Sequence, residues 1–170
     1  GIAMLRSLEL YNLGRMRAGY EAVRIGVGIN TGPMMLGTIG GHLRMEGTVI
    51  SDAVNLSARL EALTKEFKVP LLITERTYCN LVSPEKYWIR LVGKVRVKGK
   101  TDKVSVYEVF EADALEIRNR KKAIAPYLLQ LMLLHEKEQW EPMRKVWEQC
   151  MEIYSDEPVL HYYEQVIRHS

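Results

Sequence analysis

Ile25-Gly-Val-Gly-Ile-Asn-Thr-Gly-Pro-Met-Met-Leu-Gly-Thr-Ile-Gly40 and, four residues on, Met45-Glu-Gly-Thr-Val-Ile-Ser-Asp-Ala-Val-Asn-Leu-Ser-Ala-Arg-Leu60 form the stretch that decides the fold. Val23 to Ile29 alternates with the period of a strand, Met34 to Ile39 does so again, and Val49 to Leu63 turns helical in its second half. Glycines at 26, 28, 32, 37, 40 and 41 allow backbone to approach backbone or a ligand closely. A Gly-x-Gly without a helix directly after it is weak support for a dinucleotide fold, so tight turns explain it equally well. In the helix, which Ser51 or Asp52 can cap, Asn55 and Arg59 stand at i and i+4 and project from one face. Val54, Leu56, Leu60 and Leu63 supply the buried side. A carboxamide beside a guanidinium makes a hydrogen-bonding and phosphate-holding pair.

Outward from this stretch the two periods alternate. Ile2 to Tyr20 reads as a helix through Leu5, Leu8, Leu13 and Met16. Val69 to Thr74 reads as a strand opening a helical turn at Glu75 to Leu81, and Tyr87 to Val97 and Val104 to Val109 as two strands joined by a turn at Lys98 to Asp102. This is an α+β pattern, a mixed sheet with helices on one face. Past residue 112 the strands stop. Three helices are expected at about 113–136, 139–154 and 157–168, and they resemble either a single degenerate tetratricopeptide unit or a helical cap on the body. Trp140 and Trp147, one heptad apart, suit core or interface anchors. The expected division is a body at 1–111 and a helical tail at 112–170; residues 1–112 hold 16 Lys and Arg against 11 Asp and Glu, and the remainder 8 against 10.

The chain has 170 residues, of which 47% are hydrophobic and 26% charged, so it can bury a core without covalent help. Two cysteines, Cys79 and Cys150, exclude a disulfide scaffold and read as reduced, buried thiols. The net charge of +3 is spread over short basic runs flanked by acids, which argues against a nucleic-acid surface and leaves small anions as ligands. No run approaches the roughly 20 apolar residues of a membrane span. No His/Cys cluster has metal-site spacing, and His42 suits an exposed turn.

Ile25-Gly-Val-Gly-Ile-Asn-Thr-Gly-Pro33, Thr48-Val-Ile-Ser-Asp-Ala-Val-Asn-Leu-Ser-Ala-Arg-Leu-Glu61 and Val97-Lys-Gly-Lys100 before a strand ending Val106-Tyr-Glu-Val109 together resemble the catalytic domain of class III adenylate/guanylate cyclases, over residues 1 to 111. The resemblance implies a partial ferredoxin-like fold and two domains paired head to tail, with ATP between them. Its 3′-hydroxyl attacks the α-phosphorus and expels pyrophosphate, closing cyclic AMP. By the same resemblance Asn55 holds the ribose and Arg59 stabilises charge at the α-phosphate. Lys98 holds the terminal phosphates, and Thr48 hydrogen-bonds the adenine amino group, which favours ATP over GTP.

Family members also carry a Phe-x-Asp-Ile strand and a Gly-Asp hairpin that hold Mg²⁺ or Mn²⁺. Here no Asp precedes Asp52, and the acids before it are Glu9, Glu21 and Glu46, a poor ligand set for a hard cation. Gly47 stands where an aromatic residue is common and Ser51 where Gly is usual. The expectation is therefore the C-terminal part of a bacterial adenylate cyclase that supplies one half-site, holds no metal by itself and is inactive alone. Its expected partners are ATP and a second cyclase domain, in a homodimer or heterodimer with exchanged helices as one route, and without nucleic acid or membrane contact. Its expected location is the cytoplasm, with a parent that can be membrane-anchored. The alternative is a cyclase-like pseudoenzyme acting as a dimerising regulatory module.

Overall fold

The structure is a computed structural model that describes residues 1–39, 46–50, 52–96 and 103–170, with 36–39, 46–50 and 96 as backbone only. Its elements are α1 (Ile2–Arg17), β1 (Val27–Ile29), β2 (Met35–Ile39), β3 (Glu46–Ile50), α2 (Asp52–Glu66), β4 (Leu71–Thr74), α3 (Glu75–Cys79), β5 (Ile89–Arg96), β6 (Lys103–Val109), α4 (Leu115–Glu136), α5 (Trp140–Ile153) and α6 (Pro158–Arg168). Four strands form a mixed sheet in the order β1-β4-β6-β5, parallel between β1 and β4 and antiparallel elsewhere. β2 and β3 form a separate antiparallel ribbon, so Val49 and Ile50 complete a strand before the helix begins. Strand β1 is shorter than the alternation from Val23 suggests. The Asn12 side chain both donates to the Val23 carbonyl and accepts from its N–H, each at 2.8 Å, and Arg15 donates to the Glu21 carbonyl. These bonds hold the approach to β1 against α1 instead of a neighbouring strand.

Alternation along the sheet sends side chains to two faces. Leu72, Val92 and Val106 join Leu60, Leu63 and Phe67 of the α2 segment and the buried faces of α4, α5 and α6 in the larger core. Leu71, Ile73 and Val109 face the other way, where Ile2 and Leu5 of α1 and Tyr78 of α3 cover them. The expectation of helices on one face holds for α2 and α4–α6 and needs correcting for α1 and α3. The reason is that β4 is buried at all four positions, and a strand buried on both sides needs cover on both. α1 is a thin cover: Leu10, Leu13 and Met16 stay exposed.

α2 sits close on β1 because Gly28 has no side chain. A Cβ there would lie 2.5 Å from the Glu61 nitrogen and 2.6 Å from the Ser57 carbonyl oxygen. The glycine spacing thus serves helix–strand packing at this position. On α2, Leu60 and Leu63 are buried as the periodicity predicts, but Val54 is exposed, in a first turn whose Asp52, Ala53 and Asn55 line a cleft.

The tail helices lie within two residues of their expected limits. They share the larger core with the sheet; Trp140 and Trp147 pack against it, and the Trp147 indole donates to the Leu160 carbonyl at 3.1 Å. Cys150 is buried there, and burial pushes its thiol up to about 12. Cys79 corrects the expectation of two buried thiols: it ends the short α3 and is exposed. Among the described residues no helix is long and apolar enough to cross a membrane.

Candidate nucleotide site and a buried charge cluster

The β1–β2 loop, the start of α2, the end of β4 and α3 surround a cleft of about 650 Å³. Asn55 and Asp52 line it from α2, Asn30 from the loop, Thr74 from β4 and Arg76 from α3. Arg59 lies one turn beyond Asn55 on the same helix and is exposed like it. The structure therefore brings Asn55 and Arg59 to one open face, with Asn55 in the cleft wall and Arg59 beyond its lining. Among the described residues neither Arg59 nor Arg76 forms an ion pair. Thr48 pairs with Gly37 in the β2–β3 ribbon, and its side chain lies outside the described residues. Lys98 and His42 also lie outside them.

The loop is fastened to the start of α2. Asn30 donates from Nδ2 to the Ala53 carbonyl at 3.1 Å and accepts at Oδ1 from the Thr74 hydroxyl at 2.8 Å. Gly32 lets the loop pass the same turn, since a Cβ there would lie 2.6 Å from the Ala53 Cβ. Asn30 belongs to the motif stretch, but its partners are 23 and 44 residues away, which no local pattern shows.

The other concentration of charge lies on the same face of the sheet, between β5, β6 and the tail helices, and is closed. Arg90 of β5 stands directly across from Glu108 of β6 and donates to it at 2.6 Å. The Arg90 fork also grips both oxygens of Glu157, at 2.9 and 2.6 Å. Glu157 caps α6 by accepting from the Val159 N–H. Lys121 of α4 donates to Glu108 at 2.5 Å and to Asp113 at 2.6 Å. Arg90, Glu108 and Glu157 are almost wholly buried. Burial by itself would lower the Lys121 pKa, but the Glu108 and Asp113 carboxylates outweigh it and raise the value; Arg90 rises in the same way beside Glu108 and Glu157. Sequence reading missed this cluster. The available signal was a charged residue on an inward phase of an otherwise apolar strand, as in Ile89-Arg-Leu-Val92 and Val106-Tyr-Glu-Val109.

A divalent metal does not fit the residues described. Among the described residues Asp52 is the one carboxylate lining the cleft, and no three His, Cys, Asp or Glu side chains gather into a metal site. Glu9 and Glu21 lie on or just after α1, outside the cleft lining.

The fold and the cleft do not by themselves name a family, and the sequence does. The sequence profile of the adenylate and guanylate cyclase catalytic domain matches residues 2–111, and the chain belongs to that family. The terminal-differentiation specific adenylate cyclase of Dictyostelium discoideum is 37% identical over 169 residues, a match that covers 98% of this chain, tail included, and 8% of the relative. The adenylate cyclase of Anabaena cylindrica is 41% identical over 113 residues, covering 64% of this chain and 22% of the relative. The chain thus spans a small part of these curated relatives. The crystal structure of the adenylyl cyclase CyaB from P. aeruginosa superposes with a TM-score of 0.54 at 30% identity, covering 67% of this chain and 56% of that one. The guanylyl cyclase Cya2 does so at 0.51 and 26% identity, covering 68% and 56%.

Proposed function

We propose that this chain supplies the ribose- and phosphate-binding half of an adenylate cyclase site completed by a second cyclase domain. The observation that carries the reading is the placement of Asn55 and Arg59 on one open face of α2, with Asn55 in the wall of a nucleotide-sized cleft, in a chain of the cyclase family. In this reading Asn55 orients the ribose so that its 3′-hydroxyl faces the α-phosphorus. Arg59 is a fixed positive charge where negative charge grows, which works best in a closed, water-poor interface. Thr48 reads the adenine amino group and Lys98 holds the departing pyrophosphate. Residues 1–111 act as the cyclase unit and 112–170 as a helical cap fixed to it. The metal-holding carboxylates come from the partner domain, since the cleft described here offers Asp52 alone.

The test is cyclic AMP formation from ATP with Mn²⁺, for the chain alone and mixed with a cyclase domain mutated at its own Asn and Arg positions but intact in its metal aspartates. Turnover by the mixture only, abolished by Arg59→Ala in this chain, is the expected result. Turnover by this chain alone would overturn the half-site reading. A silent mixture with folded partners would leave the regulatory pseudoenzyme as the better description.

A further inference from the structure

We propose that Asn30 is a positioning residue of this site, holding the first turn of α2, and with it Asn55, at a fixed height over the sheet. The proposal rests on the reading of Asn55 given above. Asn30 lines the cleft, yet both ends of its amide are committed: Nδ2 to the Ala53 carbonyl and Oδ1 to the Thr74 hydroxyl. It is therefore a bracket in the cleft wall rather than a free ligand group.

The bracket is the inner end of a longer relay. The Thr31 hydroxyl donates to Thr77 Oγ1 at 3.2 Å, Thr77 Oγ1 lies 3.1 Å from Thr74 Oγ1, and the buried Thr74 donates inward to Asn30. Thr74 also accepts from the Thr77 N–H as the cap of α3. Thr77 Oγ1 also donates to the Ile29 carbonyl at 3.4 Å, and together these bonds fasten four segments: the β1–β2 loop, the end of β4, α3 and the start of α2. Hydrogen bonds in such a chain reinforce one another, and its geometry depends on every member. Its last acceptor, the Ala53 carbonyl, lies two residues before Asn55.

Asn30→Asp keeps the shape and the bond from Thr74 but turns the donor facing the Ala53 carbonyl into a carboxylate oxygen, so the first turn must move away. Displacing a positioning group by about an ångström costs on the order of tenfold to a hundredfold in rate. The experiment is a double-mutant cycle on cyclic AMP formation in the complementing mixture, with Asn30→Asp, Asn55→Ala and both together, and the thermal midpoint of each variant as a companion measurement. The expected result is a rate loss of about tenfold or more for Asn30→Asp that largely disappears in the Asn55→Ala background, because the two act as one unit. Thr74→Ser, which keeps the hydroxyl, should retain the rate. If Asn30→Asp fails to fold, Thr77→Val, which removes one hydroxyl from the outer relay, enters the same cycle with a smaller expected loss. Losses that multiply independently, or no loss at all, while Asn55→Ala is impaired, would overturn the relay and leave the cyclase reading standing. A silent wild-type mixture would overturn both.

Discussion

Two regions of this molecule use charge in opposite ways. At the tail–sheet junction Arg90, Lys121, Glu108 and Glu157 are buried and satisfied by one another. On α2 and α3, Arg59 and Arg76 stay in water without an ion pair among the described residues. A buried charge must be matched by its own chain, because removing one partner strands the other in low dielectric. A charge meant for a ligand has to be left unmatched until the ligand arrives. The difference teaches where stability resides in this chain and where chemistry is to be sought.

The largest effect that tests this contrast is on stability. Glu157→Ala removes both oxygens from the Arg90 fork and the cap from α6, and should cost about 3–5 kcal/mol in urea unfolding. An unchanged unfolding midpoint would show that the cluster contributes little and break the comparison at its first term. Next is the open face: Arg59→Ala should move the midpoint by less than about 0.5 kcal/mol. In the complementing mixture it should lower the cyclic AMP rate by a hundredfold or more, about 2.7 kcal/mol. A destabilised Arg59→Ala protein would mean that the arginine is structural after all.

An alkaline titration sharpens the buried side. The Cys150 thiol, ordinarily near 9.0 and raised by burial to about 12, ionises in the unfolded chain before it does in the folded one. The unfolded state then binds fewer protons, so stability is unaffected below pH 9 and falls as pH rises from 9 toward 12. Lys121 acts in the same direction: its raised value gives stability that is complete below the unfolded lysine pKa and is lost as pH climbs through the folded one. Cys150→Ala should flatten the decline that begins near pH 9, as measured by denaturant midpoints across the series. The smallest effect is expected at Lys94 and Glu136, which pair at 3.1 Å at the edge of the tail junction but remain partly exposed. Lys94→Gln should cost less than about 1 kcal/mol, and less still in high salt. A larger loss would place that pair with the buried cluster.

Much of the fold was legible because it is local. The periods of Leu128, Leu131 and Met132 and of Met143, Val146, Trp147 and Cys150 place α4 and α5 within two residues of their observed limits. Asn55 and Arg59 share a face because four residues make about one helical turn. What misled was also local: Val54 fits the apolar stripe of α2 but belongs to a turn that lines the cleft, and Cys79, read as a buried thiol, ends the short α3 and is exposed.

By itself the sequence determined the class of fold, the three tail helices and the helix that presents Asn55 and Arg59, since hydrophobic period and motif spacing act over a few residues. Only the tertiary structure decided that α1 covers a second face of the sheet, that Asn30 reaches Thr74 and Ala53, and that Arg90 meets Glu157 across 67 residues of chain. The reason is physical. Which polar groups are withdrawn from water depends on which elements pack together, and a buried donor takes the acceptor nearest in space rather than nearest in sequence.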